Sequence, residues 1–154
     1  MIDEFGIKGS VHVEAFHHDG MKYYDHVNHN TITAIQDEVI AALVCGQSTT
    51  TMEYGHAGTG TGQGAASTNL ATACGEARTA ITSGTQGTAG DDNDVVVVYT
   101  LAAGVCTATI TEIGLFKTSN QVTGDMLCYD DTLTVTKAAG DSLTVTWTLT
   151  YGAS

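Results

Sequence analysis

The last segment of the chain constrains its fold more than any other feature. From position 143 to 151, threonines fill every even position, and every odd position carries a large apolar residue: Leu143, Val145, Trp147, Leu149 and Tyr151. Successive side chains of a β-strand point to opposite faces of a sheet. The alternation therefore predicts a strand with one face in a core and the other lined by threonines.

Weaker alternation recurs along the chain and predicts a mainly β protein. Positions 7–16 and 21–27 have the pattern of two strands joined by the Asp19-Gly20 turn, which indicates a β-hairpin. The four consecutive valines in segment 94–101 indicate a strand buried on both faces. The other predicted strands are 51–56, 76–82, 106–116 and 125–131.

Positions 33–45 have helical periodicity. Thr33 stands three residues before Gln36, as in a capping box, and Gly46 follows as a helix-ending residue. The pattern predicts a helix that packs one apolar stripe against a larger element, such as a sheet. The residues of the stripe are Ile35, Val39, Ile40, Ala42, Leu43 and Val44.

Short strands, one helix and glycine-based turns predict a two-sheet sandwich or a jelly-roll-like fold. Two glycine-rich segments connect the strands: 46–75, predicted to be a long surface loop, and 83–94, predicted to be a turn. The length of 154 residues fits a single β domain over 1–154, in which 1–30 forms an N-terminal hairpin or arm.

The charge balance argues against two classes of partner. Five Lys and Arg stand against 17 Asp and Glu, for a formal net charge of −12. Nucleic-acid binding depends on clustered cations that displace counterions from phosphates, and anionic membranes attract polybasic segments. We therefore expect neither nucleic acid nor a membrane as a partner. The basic residues are scattered singly: Lys8, Lys22, Arg78, Lys117 and Lys137.

The four cysteines, Cys45, Cys74, Cys106 and Cys128, are widely separated and form no C-x-x-C pair. The segment 1–5 lacks the positive and apolar regions of a secretory signal, which predicts synthesis in the cytoplasm. Cytoplasmic thiols are kept reduced. Because each cysteine has small or apolar neighbours, all four are predicted to be free, buried thiols.

The glycine-rich segment 55–64 does not match a nucleotide-binding loop. A phosphate-binding loop of the Walker type needs a lysine, and no lysine lies between Lys22 and Lys117. The glycines at 58, 60, 62 and 64 alternate with other residues, which is not the dinucleotide fingerprint either. We therefore expect no nucleotide cofactor.

Five of the six histidines lie within 18 residues of one another: His12, His17, His18, His26 and His29. A hairpin over this region could bring some imidazoles together, and imidazole is a ligand for Zn, Cu, Ni and Fe. The alternative is that they are exposed polar or interface residues, one of which makes a pH-sensitive contact. Both interpretations stay open at this point.

No arrangement in the sequence identifies a catalytic centre. The chain has no G-x-S-x-G elbow and no cysteine close to a histidine. Two acidic groups, at 91–94 and at Asp130-Asp131, flank predicted turns and are interpreted as solvated loops, with calcium binding as an alternative for the first. A carboxylate pair for sugar hydrolysis, in a small jelly-roll enzyme, stays open as a minor alternative.

Several segments resemble structural proteins of tailed bacteriophages. In the C-terminal third, positions 110–116 read I-T-E-I-G-L-F, positions 124–128 read G-D-M-L-C, and positions 143–151 read L-T-V-T-W-T-L-T-Y. Earlier, H-N-T-I-T at 29–33 precedes the predicted helix, and G-T-G-T at 58–61 follows it. The order of these motifs carries the resemblance more than any one of them.

The resemblance implies a non-enzymatic virion component, made in the host cytoplasm and without catalytic residues, metal or cofactor. A capsid decoration or cement protein is expected, because the chain is short and lacks a repetitive shaft. Such a protein would contact copies of itself, commonly as a trimer, and the major capsid protein or other virion proteins.

Two further structural roles stay open. One is a tail-fibre or baseplate module that binds a host receptor or glycan, for which the candidate residues are Tyr23, Tyr24 and Tyr54. The other is a subunit of a bacterial or archaeal filament or surface layer.

Overall fold

A computed structural model describes residues 6–47, 51–87 and 93–152. Within these ranges the chain is mainly β with one short helix, which confirms the predicted fold class. The elements are β1 (Ile7–Phe16), β2 (Lys22–His29), β3 (Thr31–Ile32), α1 (Ala34–Val44), β4 (Tyr54–Gly58), β5 (Thr79–Ala80), β6 (Ser83–Gln86), β7 (Asp94–Leu101), β8 (Thr109–Ile110), β9 (Glu112–Phe116), β10 (Met126–Asp130), β11 (Val135–Thr136) and β12 (Ser142–Tyr151).

The strands form two five-stranded antiparallel sheets and one two-stranded sheet. The first sheet has the order β2-β1-β12-β7-β6, and the second has the order β3-β10-β9-β4-β5. Strands β11 and β8 form the small third sheet. Side chains from both large sheets share one hydrophobic core, which makes the molecule a β-sandwich.

Strand β12 lies at the centre of the first sheet, between β1 and β7. Its inward side chains Leu143, Val145, Trp147 and Leu149 are fully buried, and the threonines between them are half-buried on the outer face. The predicted alternation of this strand is therefore confirmed.

The predicted β-hairpin is formed by β1 and β2. The two strands pair from Ser10 opposite His29 to Phe16 opposite Lys22. Gly20 closes the turn with a φ of +85°, in the left-handed region that favours glycine.

Helix α1 occupies nearly the range predicted for it, but the predicted capping box is wrong. The Thr33 hydroxyl makes no cap hydrogen bond and donates instead to the carbonyl oxygens of Met126 and Leu127 in β10. The Gln36 amide points to β12, where it donates to the Tyr151 hydroxyl at 3.1 Å. Both polar side chains thus attach the helix to the sandwich. Gly46 follows the helix with a φ of +71°, as predicted.

Two predicted strands differ from the observed ones. Strand β7 has the predicted bounds but only one buried face, since Val97, Tyr99 and Leu101 are buried and the residues between them are half-buried. The predicted strand 106–116 is two strands, β8 and β9, in different sheets. The apolar positions change from even (Cys106, Ala108, Ile110) to odd (Ile113, Leu115) across Thr111, a sign of the break that the prediction of a single strand overlooked.

The predicted surface loop 46–75 and strand 51–56 need correction, because strand β4 (Tyr54–Gly58) is buried over Gly55–Gly58. It pairs with β9 in the second sheet. A Cβ atom at Gly55 would overlap the ring of Tyr99, which crosses from the first sheet. Glycine in this segment therefore permits close approach of the two sheets.

The predicted strand 76–82 and the predicted turn 83–94 are also displaced. Only Thr79–Ala80 of the first forms a strand, β5, whereas Ser83–Gln86 forms β6, the edge of the first sheet beside β7. Positions 88–92 of the predicted turn lie outside the described residues.

The prediction of four free, buried thiols is wrong. Cys74 and Cys106 form a disulfide, and of the two free cysteines Cys128 is buried and Cys45 is exposed. The two bonded cysteines are 32 positions apart in sequence. They meet because Cys74 is held to Ala57 of β4 by a backbone hydrogen bond, and Cys106 is the buried residue of the otherwise more exposed turn between β7 and β8.

Candidate functional site: an uncharged apolar surface around helix α1

Helix α1 is an apolar element that the sandwich covers only in part. After Glu38 its sequence reads Val-Ile-Ala-Ala-Leu-Val-Cys, without a charged residue. The sandwich nevertheless buries only Gln36 and Val39 of the helix. The Val44 side chain is 84% exposed. A helix that is apolar around most of its circumference is normally buried in a larger structure. In α1, part of the apolar surface stays exposed.

A cleft of about 590 Å³ separates α1 from the edge of the first sheet. Ile40 and Val44 line the helix side, and Val95 of β7 lines the sheet side. Met52 and Ile81 also line the cleft. None of the described residues around this cleft is an Asp, Glu, Lys, Arg or His. We call the cleft and the exposed residues Leu43 and Val44 the α1 surface.

The absence of charge from the α1 surface contrasts with the rest of the chain. Tyr151 also lines the cleft; like any tyrosine it is uncharged at neutral pH, and burial raises its pKa further, to about 12. The opposite flank of the helix lines a second cleft with charged walls, which include Glu38, Lys117 and Asp125. The two sides of α1 thus differ in chemistry, and only one of them is wholly uncharged among the described residues.

The buried carboxylate of Glu112 organises the glycine-rich loop. Glu112, the first residue of β9, has no solvent exposure. Its two oxygens accept hydrogen bonds from the backbone N–H groups of Gly60, Ala71 and Thr72 and from the Gln63 amide, at 2.5 to 3.0 Å. The loop is therefore built around a structural carboxylate rather than around a ligand.

A buried ion pair fastens the following part of the chain. The Arg78 guanidinium donates to Asp125 at 2.6 Å and to the carbonyl oxygens of Thr118 and Thr123, and it stacks on the Phe116 ring. Arg78 and Asp125 are each about 5% exposed or less. This pair joins the loop before β5 to the loop between β9 and β10.

The structure does not bring His12, His17 and His26 together. Each lies next to a different carboxylate: His12 beside Asp25 at 2.9 Å, His17 beside Asp141 at 3.3 Å and His26 beside Asp130 at 3.2 Å. His18 and His29 are exposed and have none of these carboxylate partners. A site with several imidazole ligands is therefore absent from the described hairpin.

One group with metal-ligand chemistry occurs among the described residues. His12, Glu14 and Asp25 present ligand atoms within 4.8 Å of one another on the outer face of the β1–β2 hairpin. The Lys22 ammonium already donates to Glu14 at 3.1 Å and to Asp25 at 2.5 Å. These bonds raise the pKa of Lys22 and lower that of Asp25. The Lys22 ammonium therefore occupies the position beside Glu14 and Asp25 that a bound metal cation would take.

The acidic pair Asp130-Asp131 is not the solvated loop that the sequence suggested. Asp130 is buried and accepts hydrogen bonds from Asn28 and Thr132. Asp131 accepts from the backbone N–H groups of Gly62 and Gln63. Of the other acidic group, Asp91 and Asp92 lie outside the described residues, and Asp94 begins β7.

The three tyrosines predicted as candidates for glycan binding make contacts within the fold. The Tyr23 hydroxyl donates to the Thr136 carbonyl at 3.1 Å, and the Tyr24 hydroxyl accepts from the Thr134 N–H at 3.3 Å. Tyr54 packs on the small hydrophobic cluster beneath the glycine-rich loop. These three rings are half-buried and join strands rather than forming an exposed aromatic platform.

Two further buried titratable residues have structural roles. His56 of β4 contacts the Cys74 carbonyl through Nε2 at 3.1 Å, and burial lowers its pKa. The Lys137 ammonium donates to the Ala102 carbonyl at 2.9 Å, and burial lowers its pKa as well. Neither lines the α1 surface.

No protein-family model, curated protein or solved structure matches this chain. The described part of the chain contains no helix with the length and apolarity to cross a membrane.

Sequence reasoning missed that the apolar stripe of α1 exceeds what the sandwich buries. The signal was present, because Ile40 and Val44 widened the stripe beyond a single face. How much of the helix surface is buried depends on contacts with distant strands, and sequence periodicity does not show those contacts.

Proposed function

We propose that this protein is a non-enzymatic virion structural protein, most simply a capsid decoration or cement protein that stabilises the shell through subunit contacts. Its partners would be copies of itself, as a trimer, and the major capsid protein. The observation that carries the proposal is the α1 surface, an uncharged apolar area left uncovered on a chain of net charge −12. An exposed apolar patch of this kind is typical of a protein that assembles.

The arrangement of polar residues supports a structural rather than a catalytic role. The buried carboxylates of Glu112, Asp125 and Asp130 each accept hydrogen bonds from groups that hold loops or strands together. The hairpin histidines are divided among separate carboxylates. These groups serve the fold, so we propose no catalytic residue, metal or cofactor.

The resemblance to phage structural proteins supports the virion assignment. Two of its motifs are physically coupled: Glu112 of I-T-E-I-G-L-F binds the backbone of Gly60 in G-T-G-T at 3.0 Å. Segments far apart in sequence thus act as one structural unit.

Immunogold electron microscopy of particles purified from the source organism tests the proposal. Antibodies raised against the purified chain should label the capsid shell, and quantitative mass spectrometry should find the chain in many copies per particle. Labelling confined to tails would favour the receptor-binding alternative, which a glycan array would then test. Particles without the chain would contradict a virion role.

A further inference from the structure

The Cys74–Cys106 disulfide joins two segments that other contacts also hold in place. In the first segment, both backbone groups of Cys74 have partners: its N–H donates to the Ala57 carbonyl at 3.0 Å, and its carbonyl contacts His56 Nε2 at 3.1 Å. The buried carboxylate of Glu112 binds the backbone of the loop just before Cys74. Cys74 is therefore placed beside β4 by non-covalent contacts as well as by the disulfide.

The turn that carries Cys106 is held in a similar way. Lys137 contacts this turn on both sides of the cysteine. Its ammonium donates to the Ala102 carbonyl, and its backbone N–H donates to the Ala108 carbonyl, both at 2.9 Å. The Cα atoms of the two bonded cysteines are 5.5 Å apart, which is an ordinary separation for a disulfide. Because both segments have their own supports, we expect this separation to be set before the bond forms.

The two cysteines differ in how far a reagent can reach them. Cys74 is half-buried, whereas Cys106 is 1% exposed and belongs to the hydrophobic core. The rate of thiol–disulfide exchange depends on access to the attacking thiolate. We propose that the Cys74–Cys106 bond closes after the sandwich has folded, with Cys74 as the thiol that meets the oxidant and Cys106 as the thiol that completes the bond.

The reaction needs a small disulfide as the oxidant. The Cys74 thiolate attacks one sulfur of this molecule and breaks its S–S bond, so that one half leaves as a thiol and the other half stays on Cys74 as a mixed disulfide. The Cys106 thiolate then attacks the Cys74 sulfur, and the second half leaves as a thiol. The two cysteines together lose two protons and two electrons, and the small disulfide is reduced to two thiols.

This order makes the disulfide a redox-sensitive lock. In a reducing compartment the chain would fold with both thiols free. In an oxidising one the bond would join the segment beside β4 to the turn after β7 without a change of fold. The inference goes beyond the proposed function and does not depend on it. A protein that is made in a cytoplasm and acts outside the cell would meet both conditions in turn.

The wild-type chain, reduced in urea and refolded with a reductant present, tests whether folding precedes closure. Its circular dichroism spectrum should match that of the disulfide-bonded chain. After removal of the reductant, hydroxyethyl disulfide, an uncharged oxidant, is added to the folded chain and to the same chain in urea. Its concentration is set well above the roughly millimolar effective concentration of the two ends of a flexible loop. Alkylation and peptide mapping then give the state of Cys74 and Cys106.

The products should differ between the two conditions. The folded chain should form mainly the Cys74–Cys106 bond, whereas in urea each of these cysteines should mainly carry the reagent. Groups held in a reactive arrangement have a very high effective concentration, so we expect the ratio of closed to doubly modified chain to be at least about ten-fold higher in the folded chain. A reduced chain that does not fold, or equal ratios in the two conditions, would overturn the proposal.

The order of the two steps is tested with Cys106→Ser and Cys74→Ser, each of which leaves one of the two thiols. In the folded variants, Cys74 should take up the reagent at least about ten-fold faster than Cys106, because access limits the rate. The exposed Cys45 is present in both variants and should react at the same rate in each. Equal rates at Cys74 and Cys106, or a faster Cys106, would contradict the proposed order. The wild-type comparison needs neither variant to fold.

Discussion

At the scale of single residues, the most informative positions are polar groups in the interior. Glu112, Arg78 and His56 are buried, and each has partners on segments that are distant in sequence. A buried charge is stable only when it is paired or hydrogen-bonded, so these residues determine which loops can pack together. They are also where substitution should have the largest effect.

Replacing Glu112 with Gln is expected to lower the free energy of unfolding by about 3 kcal/mol. The amide would place an N–H₂ donor against backbone donors and would remove the charge that strengthens the existing hydrogen bonds. Urea denaturation measures the loss. Glu53→Gln makes the same change at an exposed position and should stay within about 0.5 kcal/mol of wild type. Equal effects of the two variants would refute the structural role of Glu112.

The stability of the protein is expected to fall as the pH decreases below about 6.5 because of His56. Its pKa is lowered in the folded state by burial, so the unfolded chain takes up a proton at a pH where the folded chain does not. The contribution is complete above the unfolded pKa of 6.5 and is lost as the pH falls. One such group changes stability by at most about 1.4 kcal/mol per pH unit.

Urea denaturation of wild type, His56→Gln and His18→Gln between pH 7.5 and 5.5 tests this dependence. The His56→Gln variant should be less stable at pH 7.5 but should show a shallower decrease towards pH 5.5. His18 is exposed, so His18→Gln should keep the wild-type slope. A slope unchanged by His56→Gln would show that other groups cause the pH dependence.

At the scale of elements, the sandwich is closed by connections between loops as well as by sheet pairing. The Cys74–Cys106 disulfide joins the segment beside β4 in the second sheet to the turn that follows β7 in the first. The Arg78–Asp125 pair joins two loops at the end of the second sheet. Helix α1 has only Gln36 and Val39 buried, and it correspondingly keeps exposed apolar surface.

Removing the disulfide, with Cys74→Ala and Cys106→Ala together, is expected to lower the free energy of unfolding by roughly 3–4 kcal/mol. The disulfide joins residues 32 positions apart, and closing a loop of that length reduces the conformational entropy of the unfolded chain. The expected loss is the stabilisation that this reduction gives. Urea denaturation of the variant and of wild type measures it, and Cys45→Ser is the control that should leave stability unchanged. Thiol titration of the denatured, unreduced chain should find two thiols; four thiols would contradict the pairing.

At the scale of the whole molecule, charge and apolar surface act in opposite directions on association. The net charge of −12 opposes the proposed contact between copies of the chain, whereas an uncovered apolar area such as the α1 surface would favour it. Because that surface has no charged residue of its own among the described residues, long-range repulsion is the main electrostatic influence on self-association.

Added salt is therefore expected to strengthen self-association. Electrostatic interactions extend over about 30 Å at 0.01 M salt but only about 10 Å at 0.1 M, so screening removes much of the repulsion between chains. Sedimentation velocity at both concentrations should show a several-fold lower dissociation constant at the higher salt. A dissociation constant that rises with salt would indicate an interface held by opposite charges, and it would contradict an apolar contact between acidic chains.

The sequence alone determined the elements whose side chains follow a local period. Strand β12, the β1–β2 hairpin and helix α1 were predicted close to their observed bounds, because alternation, an Asp-Gly turn and helical spacing are properties of neighbouring residues. The same periodicity identified which face of β12 is buried. For α1 it predicted one apolar stripe packed against a sheet, and it did not predict that part of this stripe would stay exposed.

Which segments contact one another could be seen only in the tertiary structure. Periodicity could not assign the two parts of 106–116 to different sheets, pair Cys74 with Cys106, or place the backbone of the glycine-rich loop around Glu112. Each of these depends on contacts across many residues, whose partners are set by how the two sheets pack. The exposure of α1 has the same origin, because contacts with distant strands bury only one side of the helix.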